Sequence, residues 1–127
     1  MSCLVVGASE CYIYRSKMSA KFQILRGVNG NYRFNLIAPN GQIILSSDQY
    51  DNKTGAQDGI RSLRSNARYD SCFERRITSN GEPYFVLKAF NGEIIGRSDS
   101  YSSKAGMENG IQAVKSHAPV ARVVDFS

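Results

Sequence analysis

Residues 34–60 read FNLIAPNGQIILSSDQYDNKTGAQDGI, and residues 85–111 read FVLKAFNGEIIGRSDSYSSKAGMENGI. The second string lies 51 positions after the first, and the two align without a gap. Extended outward at the same offset, residues 22–67 match 73–118 with 19 identities in 46 positions. Phe22 falls on Phe73, Phe34 on Phe85 and Leu36 on Leu87, and Tyr50, Gly55 and Gly59 fall on Tyr101, Gly106 and Gly110. Chance does not produce this, so the chain is an internal duplication of one unit of about fifty residues.

Each copy carries the same local signals. Asn-Gly occurs at 29–30, 40–41, 80–81 and 91–92. That pair tolerates the positive φ angles of a type I′ turn and marks tight hairpins. Between the turns the pattern alternates. Phe34, Leu36 and Ala38 face one way, as do Phe85, Leu87 and Ala89, so these are strands with one buried face. After the third strand the period lengthens. Ala56, Ile60 and Leu63, like Met107, Ile111 and Val114, follow helical spacing. Asp51 or Asn52, and Ser102 or Ser103, suit the N-cap. A further extended segment follows each helix, at Tyr69–Phe73 and Ala121–Phe126. Three strands and one amphipathic helix make a thin unit. The expected fold is therefore α+β, with two tandem β3-α-β repeats in one antiparallel-rich sheet and both helices on one face. Repeat 1 covers about 21–70 and repeat 2 about 71–127, within a single domain over 18–127.

Composition narrows the classes. The chain has 127 residues, 42% hydrophobic and 21% charged, enough for a core without metals or disulfides. Its net charge of +5 is a mild excess, consistent with solubility alone or with weak attraction to polyanions. Cys3, Cys11 and Cys72 form no CxxC pair, so a reducing, cytoplasmic setting is expected. With His117 the only histidine, no metal site and no cofactor is expected. Leu4–Ala8 is too short for a signal sequence, and no apolar run reaches the length of a membrane span.

The pattern resembles the YegP-like family of small, mostly bacterial proteins. The resemblance rests on Tyr32-Arg33-Phe34-Asn35-Leu36, the Asn40-Gly41 turn, Ser47-x-x-Tyr50, and the helical Asp58-Gly59-Ile60 with its copy Asn109-Gly110-Ile111. It runs from Met18 to the C-terminus. It implies tandem or dimerised β3-α-β units that share one sheet and exchange their last strands. It brings no catalytic residue, ligand or reaction. Because one chain already supplies both units, a monomer is expected. Residues 1–17 fall outside the pattern and are expected to be peripheral, with Tyr12-Ile13-Tyr14 the part most like a strand.

Three groups of residues are candidates for function. The first is the repeated Ser-Asp-x-Tyr-x-x-Lys: Ser47, Asp48, Tyr50 and Lys53, with Ser98, Asp99, Tyr101 and Lys104. A tyrosine near a lysine serves acid–base chemistry if its pKa is lowered. At a strand-to-helix junction the same residues are more simply structural, Ser and Asp satisfying free amides and Tyr packing under the helix. The second is the outward sheet face, with Arg33, Asn35, Tyr84 and Lys88, and with Ile37 and Val86 as apolar anchors for a protein partner. The third is the arginine-rich 61–76 stretch, which with that face would give weak nucleic-acid binding. The glycine pairs 55/59 and 106/110 are expected to allow close approach of each helix to the sheet or to its twin. His117 reads as a helix C-terminal residue and Cys72 as a small core residue. No nucleophile–base pair or carboxylate pair is evident. A non-enzymatic binding module with an unknown protein partner leads, nucleic acid follows, and an enzyme is disfavoured.

Overall fold

The computed structural model describes residues 20–127, so the expectations for residues 1–17 lie outside the described residues. Repeat 1 folds as β1 (Lys21–Arg26), β2 (Tyr32–Ile37), β3 (Ile43–Ser47) and α1 (Lys53–Asn66). Repeat 2 follows as β4 (Phe73–Ile77), β5 (Pro83–Lys88), β6 (Ile94–Arg97), α2 (Lys104–His117) and β7 (Arg122–Asp125). The strands form one sheet in the order β4-β5-β6-β3-β2-β1-β7. All neighbours are antiparallel except β1 and β7, which run parallel.

The alternating residues turn inward as their period requires. Phe22, Phe34, Leu36, Phe85 and Leu87 are fully buried beneath the helices. The helices contribute Ala56, Ile60 and Leu63 from α1, and Met107, Ile111 and Val114 from α2. These side chains join one core drawn from both repeats. Burying each Phe or Leu contributes about 2 kcal/mol, far more than the intrinsic helix propensity of two glycine-bearing helices. The caps are Asn52, whose Oδ1 accepts from the Gly55 amide at 2.7 Å, and Ser103, whose Oγ accepts from Gly106 at 3.0 Å.

Two local details differ from the sequence expectation. The Asn-Gly hairpins are three-residue loops, not two-residue type I′ turns. In Ala38–Gln42 the Gly41 amide donates to the Ala38 carbonyl and the Ala38 amide to the Gln42 carbonyl, and Ala89–Glu93 repeats this. The asparagine sits one place later in the loop than a type I′ turn requires, second of three residues instead of first of two. Its Oδ1 accepts from the amide two residues on, Asn40 from Gln42 and Asn91 from Glu93, both at 3.0 Å. The following glycine alone takes positive φ, 90° at Gly41 and 91° at Gly92. The second difference is Tyr69–Phe73, which is not extended throughout. Asp70–Cys72 forms a 3₁₀ turn that leads straight into β4. Asp70 Oδ1 receives Lys115 Nζ at 2.8 Å and an Arg75 guanidinium nitrogen at 3.1 Å, which draws the turn tight.

The strand exchange therefore takes one visible form. β7, the last strand of repeat 2, adds to β1 of repeat 1, with Phe22 opposite Val123 and Gln23 opposite Val124. At the centre, β3 and β6 join the repeats through Ser46 opposite Arg97 and Ser47 opposite Gly96. Here the duplication breaks its own symmetry. Leu45 of repeat 1 corresponds to Gly96 of repeat 2. A Cβ at Gly96 would stand 2.9 Å from the Ser46 carbonyl oxygen and 3.1 Å from the Leu45 side chain. The seam holds one leucine, and Leu45 is 1% exposed there.

Candidate functional site

The junction between third strand and helix is built twice in the same way. Ser47 Oγ accepts from the Phe34 amide at 2.9 Å and donates to the Asp48 carbonyl at 2.8 Å. Ser98 does the same with Phe85 and Asp99, at 3.0 and 2.8 Å. A side chain thus replaces a main-chain partner where the strand must bend away. Beyond the bend the tyrosine returns to the sheet: Tyr50 exchanges both main-chain hydrogen bonds with Tyr32, while Tyr101 donates to the carbonyl of Pro83. Each ring then lies under its helix. Tyr50 stacks on Phe34 at 6.2 Å between centroids, and Tyr101 meets Phe85 at 6.3 Å. The helix glycines make room for these rings. A Cβ on Gly59 would land on the Tyr50 hydroxyl, and one on Gly110 on that of Tyr101. The close approach enabled by the glycine pairs is thus to the tyrosines and, at Gly59, also to Phe34 of the sheet, whose ring would lie 2.9 Å from such a Cβ.

On either side of the seam this arrangement opens a cleft. The Tyr50 cleft, about 680 Å³, lies between the α1 junction and the β5–β6 hairpin of the other repeat. The Tyr101 cleft, about 920 Å³, lies between the α2 junction and the β2–β3 hairpin. Every residue lining the first has its counterpart 51 positions away lining the second. Glu93 corresponds to Gln42, Asp58 to Asn109, Ser62 to Ala113 and Ile94–Ile95 to Ile43–Ile44. Each cleft is therefore a joint product of both repeats, and neither repeat contains one alone.

Chemically the phenols are not bases. Burial raises the pKa of Tyr50, and the charges of Asp48 and Glu93 raise it further. Burial and Asp99 do the same to Tyr101. In repeat 1 the tyrosine–lysine couple is not assembled: Lys53 turns to Asp125 of β7, 2.9 Å away, and that hydrogen bond raises its own pKa. His117 closes one end of the Tyr101 cleft. Its repeat-1 counterpart Asn66 is buried, donating to the Ser62 carbonyl and receiving the Cys72 thiol.

The sheet-face candidates are spread. Arg33 is on β2 and exposed, whereas Tyr84 and Lys88 are on β5, with β3 and β6 between. Asn35 and Val86 are buried, at 7% and 0% exposure. Lys88 pairs with Glu74 at 2.6 Å. The arginine-rich stretch is largely engaged. Arg61 pairs with Asp58, Arg75 with Asp70 and Glu108, and Arg76 with Glu74. Arg64 donates to the Ala121 carbonyl and lies over the Phe22 ring. Among the described residues no group of His, Cys, Asp and Glu is gathered as a metal site requires, and no helix is long and apolar enough to cross a membrane.

Sequence reasoning picked out Asp48, Tyr50, Asp99 and Tyr101, but not Glu93, Asp58, Gln42 or Asn109 as their neighbours. The signal available was the survival in both copies of two helix glycines beside a tyrosine, which marks a ring seated on the helix.

Taken together, the structure is a tandem α+β duplication whose two halves share a sheet, a core and a pair of joint clefts. The chain belongs to the family described as "Domain of unknown function (DUF1508)", whose model matches residues 28–74 and again 78–125. It is 44% identical to the UPF0339 protein PA0329 of Pseudomonas aeruginosa over 87% of this chain and 100% of that protein. It is 48% identical to the UPF0339 protein YegP of Yersinia pestis over 73% of this chain and 83% of that one. Among solved structures it matches the solution NMR structure of Escherichia coli yegP, a protein of unknown function, with a TM-score of 0.81 and 39% identity over 86% of this chain and 94% of the other. The UPF0339 protein SO3888 of Shewanella oneidensis matches with a TM-score of 0.80 and 37% identity over 85% and 92%.

Proposed function

We propose that the chain is a non-enzymatic binding module that takes its ligands in the two inter-repeat clefts. The observation that carries this reading is the correspondence of the clefts, residue for residue, across the duplication. Each presents a half-buried phenol whose raised pKa keeps it neutral, a hydrogen-bonding group and not a base. Pockets of this size with a few convergent polar groups are where small ligands and side chains of partners dock. The sheet face is the weaker surface for a protein partner, because its apolar anchors Ile37 and Val86 are already buried. Nucleic-acid binding through Arg33, Lys88 and residues 61–76 is weaker too, since most of those cations already have carboxylate or carbonyl partners. The module acts as a monomer in this reading, each half completing the other. A cytoplasmic setting is supported by Cys72, a buried free thiol.

The test is amide chemical-shift mapping by NMR of the full chain against a small panel of amines, carboxylates and nucleosides. Perturbations centred on Gly59 and Gly110 are expected. Perturbations confined to Arg33, Tyr84 and Lys88, or tight binding of single-stranded DNA that collapses between about 50 and 200 mM salt, would move the function to the sheet face.

A further inference from the structure

We propose that the outer edge of β4 docks an extended segment of a partner protein, which adds to the sheet as an eighth strand parallel to β4. The duplication supplies the template. At the offset of 51, β7 corresponds to residues 71–74. In repeat 2 that segment runs along the outer edge of β1. In repeat 1 it is instead the end of the 3₁₀ turn and the start of β4 itself. β4 is the counterpart of β1, yet it stands last in the sheet, with no described strand beyond it.

The main chain at this edge faces outward. The Phe85 amide donates to Ser98 Oγ and its carbonyl accepts from the Ser98 amide, so both point towards β6. Arg75 lies opposite Phe85 on β4. Its own amide and carbonyl therefore point away from β5, to the open edge. On the occupied edge the counterpart of Arg75 is Ile24, whose carbonyl accepts from Phe126 at 2.9 Å. The side chains match as well. Arg64 over Phe22 and Lys115 over Phe73, at 5.3 and 5.6 Å, set each helix in the same place over its first strand. At the other end of α1, Lys53 holds Asp125 of the added strand at 2.9 Å. Its counterpart Lys104 is exposed and has no carboxylate partner among the described residues.

These features select the occupant. Charged residues on an edge strand guard it against indiscriminate pairing. Here Glu74, Arg75 and Arg76 are already matched within the chain, which leaves Lys104 to choose. The segment that fits is a short extended one like β7, two β-branched residues followed by a carboxylate. One difference limits its length. The Phe73 amide is taken by the Asp70 carbonyl of the turn, so the added strand pairs from the Phe73 carbonyl onward.

The experiment is NMR titration of the full chain with an acetylated, amidated peptide copying Ala121–Ser127. Saturable amide shifts are expected at Glu74, Arg75 and Arg76, with Lys104 following. The same peptide carrying Val124→Pro lacks the N–H that would reach the Phe73 carbonyl, and its binding should be lost. The peptide carrying Asp125→Asn, and the protein variant Lys104→Ala, should each weaken binding about threefold, as an exposed ion pair contributes. Lys104 is exposed, so that variant should fold as wild type. Shifts at Gln23 and Ile24 in place of β4 would mean that the peptide displaces β7, and would overturn the inference. Absence of saturable shifts, undiminished binding of the proline peptide, or indifference to both charge removals would overturn it too.

Discussion

The guanidinium of Arg64, in the last turn of α1, donates to the carbonyl of Ala121 at the threshold of β7. Lys115 holds the same place in α2 and reaches Asp70 in the other repeat. Each cation also lies over the first-strand phenylalanine of its own repeat, Phe22 at 5.3 Å and Phe73 at 5.6 Å. The last turn of each helix therefore fastens the segment that follows the other helix.

Removal of this clasp has a cost. A charged hydrogen bond to a carbonyl and a cation–π contact together imply that Arg64→Ala destabilises the fold by about 2–3 kcal/mol. Arg64→Lys, which copies repeat 2, should lose less than half of that. Urea unfolding measures both, and an Arg64→Ala midpoint within error of wild type would mean the clasp contributes nothing net.

The glycines under the tyrosines predict a clash. Gly110→Ala adds a methyl where the Tyr101 hydroxyl lies, and the gain in helix propensity of about 1 kcal/mol will not offset the overpacking. We expect net destabilisation of about 1–2 kcal/mol, partly relieved by Tyr101→Phe in a double-mutant cycle. An additive cycle would show that ring and glycine do not meet.

Acid should loosen the exchanged segments first. The hydrogen bond from Lys115 and then Arg75 holds Asp70 down to about 2, below its ordinary 3.8, and Lys53 and then Ser127 do the same for Asp125. A depressed carboxylate binds fewer protons folded than unfolded, so its contribution is present above about pH 4 and is lost as the pH falls towards 2. Both groups are exposed, so the effect is modest. Thermal unfolding of wild type should fall more steeply between pH 4 and 2 than that of Asp70→Asn with Asp125→Asn. Parallel curves would contradict the assignment.

Self-sufficiency of the duplicated chain predicts a mass of 14.0 kDa by light scattering. A value of twice that mass would point to exchange of β7 between chains.

Much of this architecture was legible in the residues. Alternation placed Phe34, Leu36, Phe85 and Leu87 inward, and helical spacing placed Ile60 and Ile111, because single-element periodicity reports a buried face directly. Asn40 and Asn91 announced hairpins but not the loop length, since the same dipeptide serves both a type I′ turn and a glycine bulge. The turn at Asp70–Cys72 was hidden because its cause, the reach of Lys115, comes from 45 residues away. The clefts were hidden for the same reason: Tyr50 and Glu93 stand in different repeats, and no local period links them. Asn35 and Val86 alternate correctly onto the outer face, yet both are buried, which a period-two pattern alone does not reveal.

The single leucine at the seam has an evolutionary meaning. Two identical copies of the first half would bring two Leu45 side chains into one volume, and two copies of the second half would leave a hole beside Gly96. The halves are therefore no longer interchangeable, and each is the obligate mate of the other. Within one chain neither half has to pack against a copy of itself, so matching positions are free to carry different residues, as Leu45 and Gly96 do.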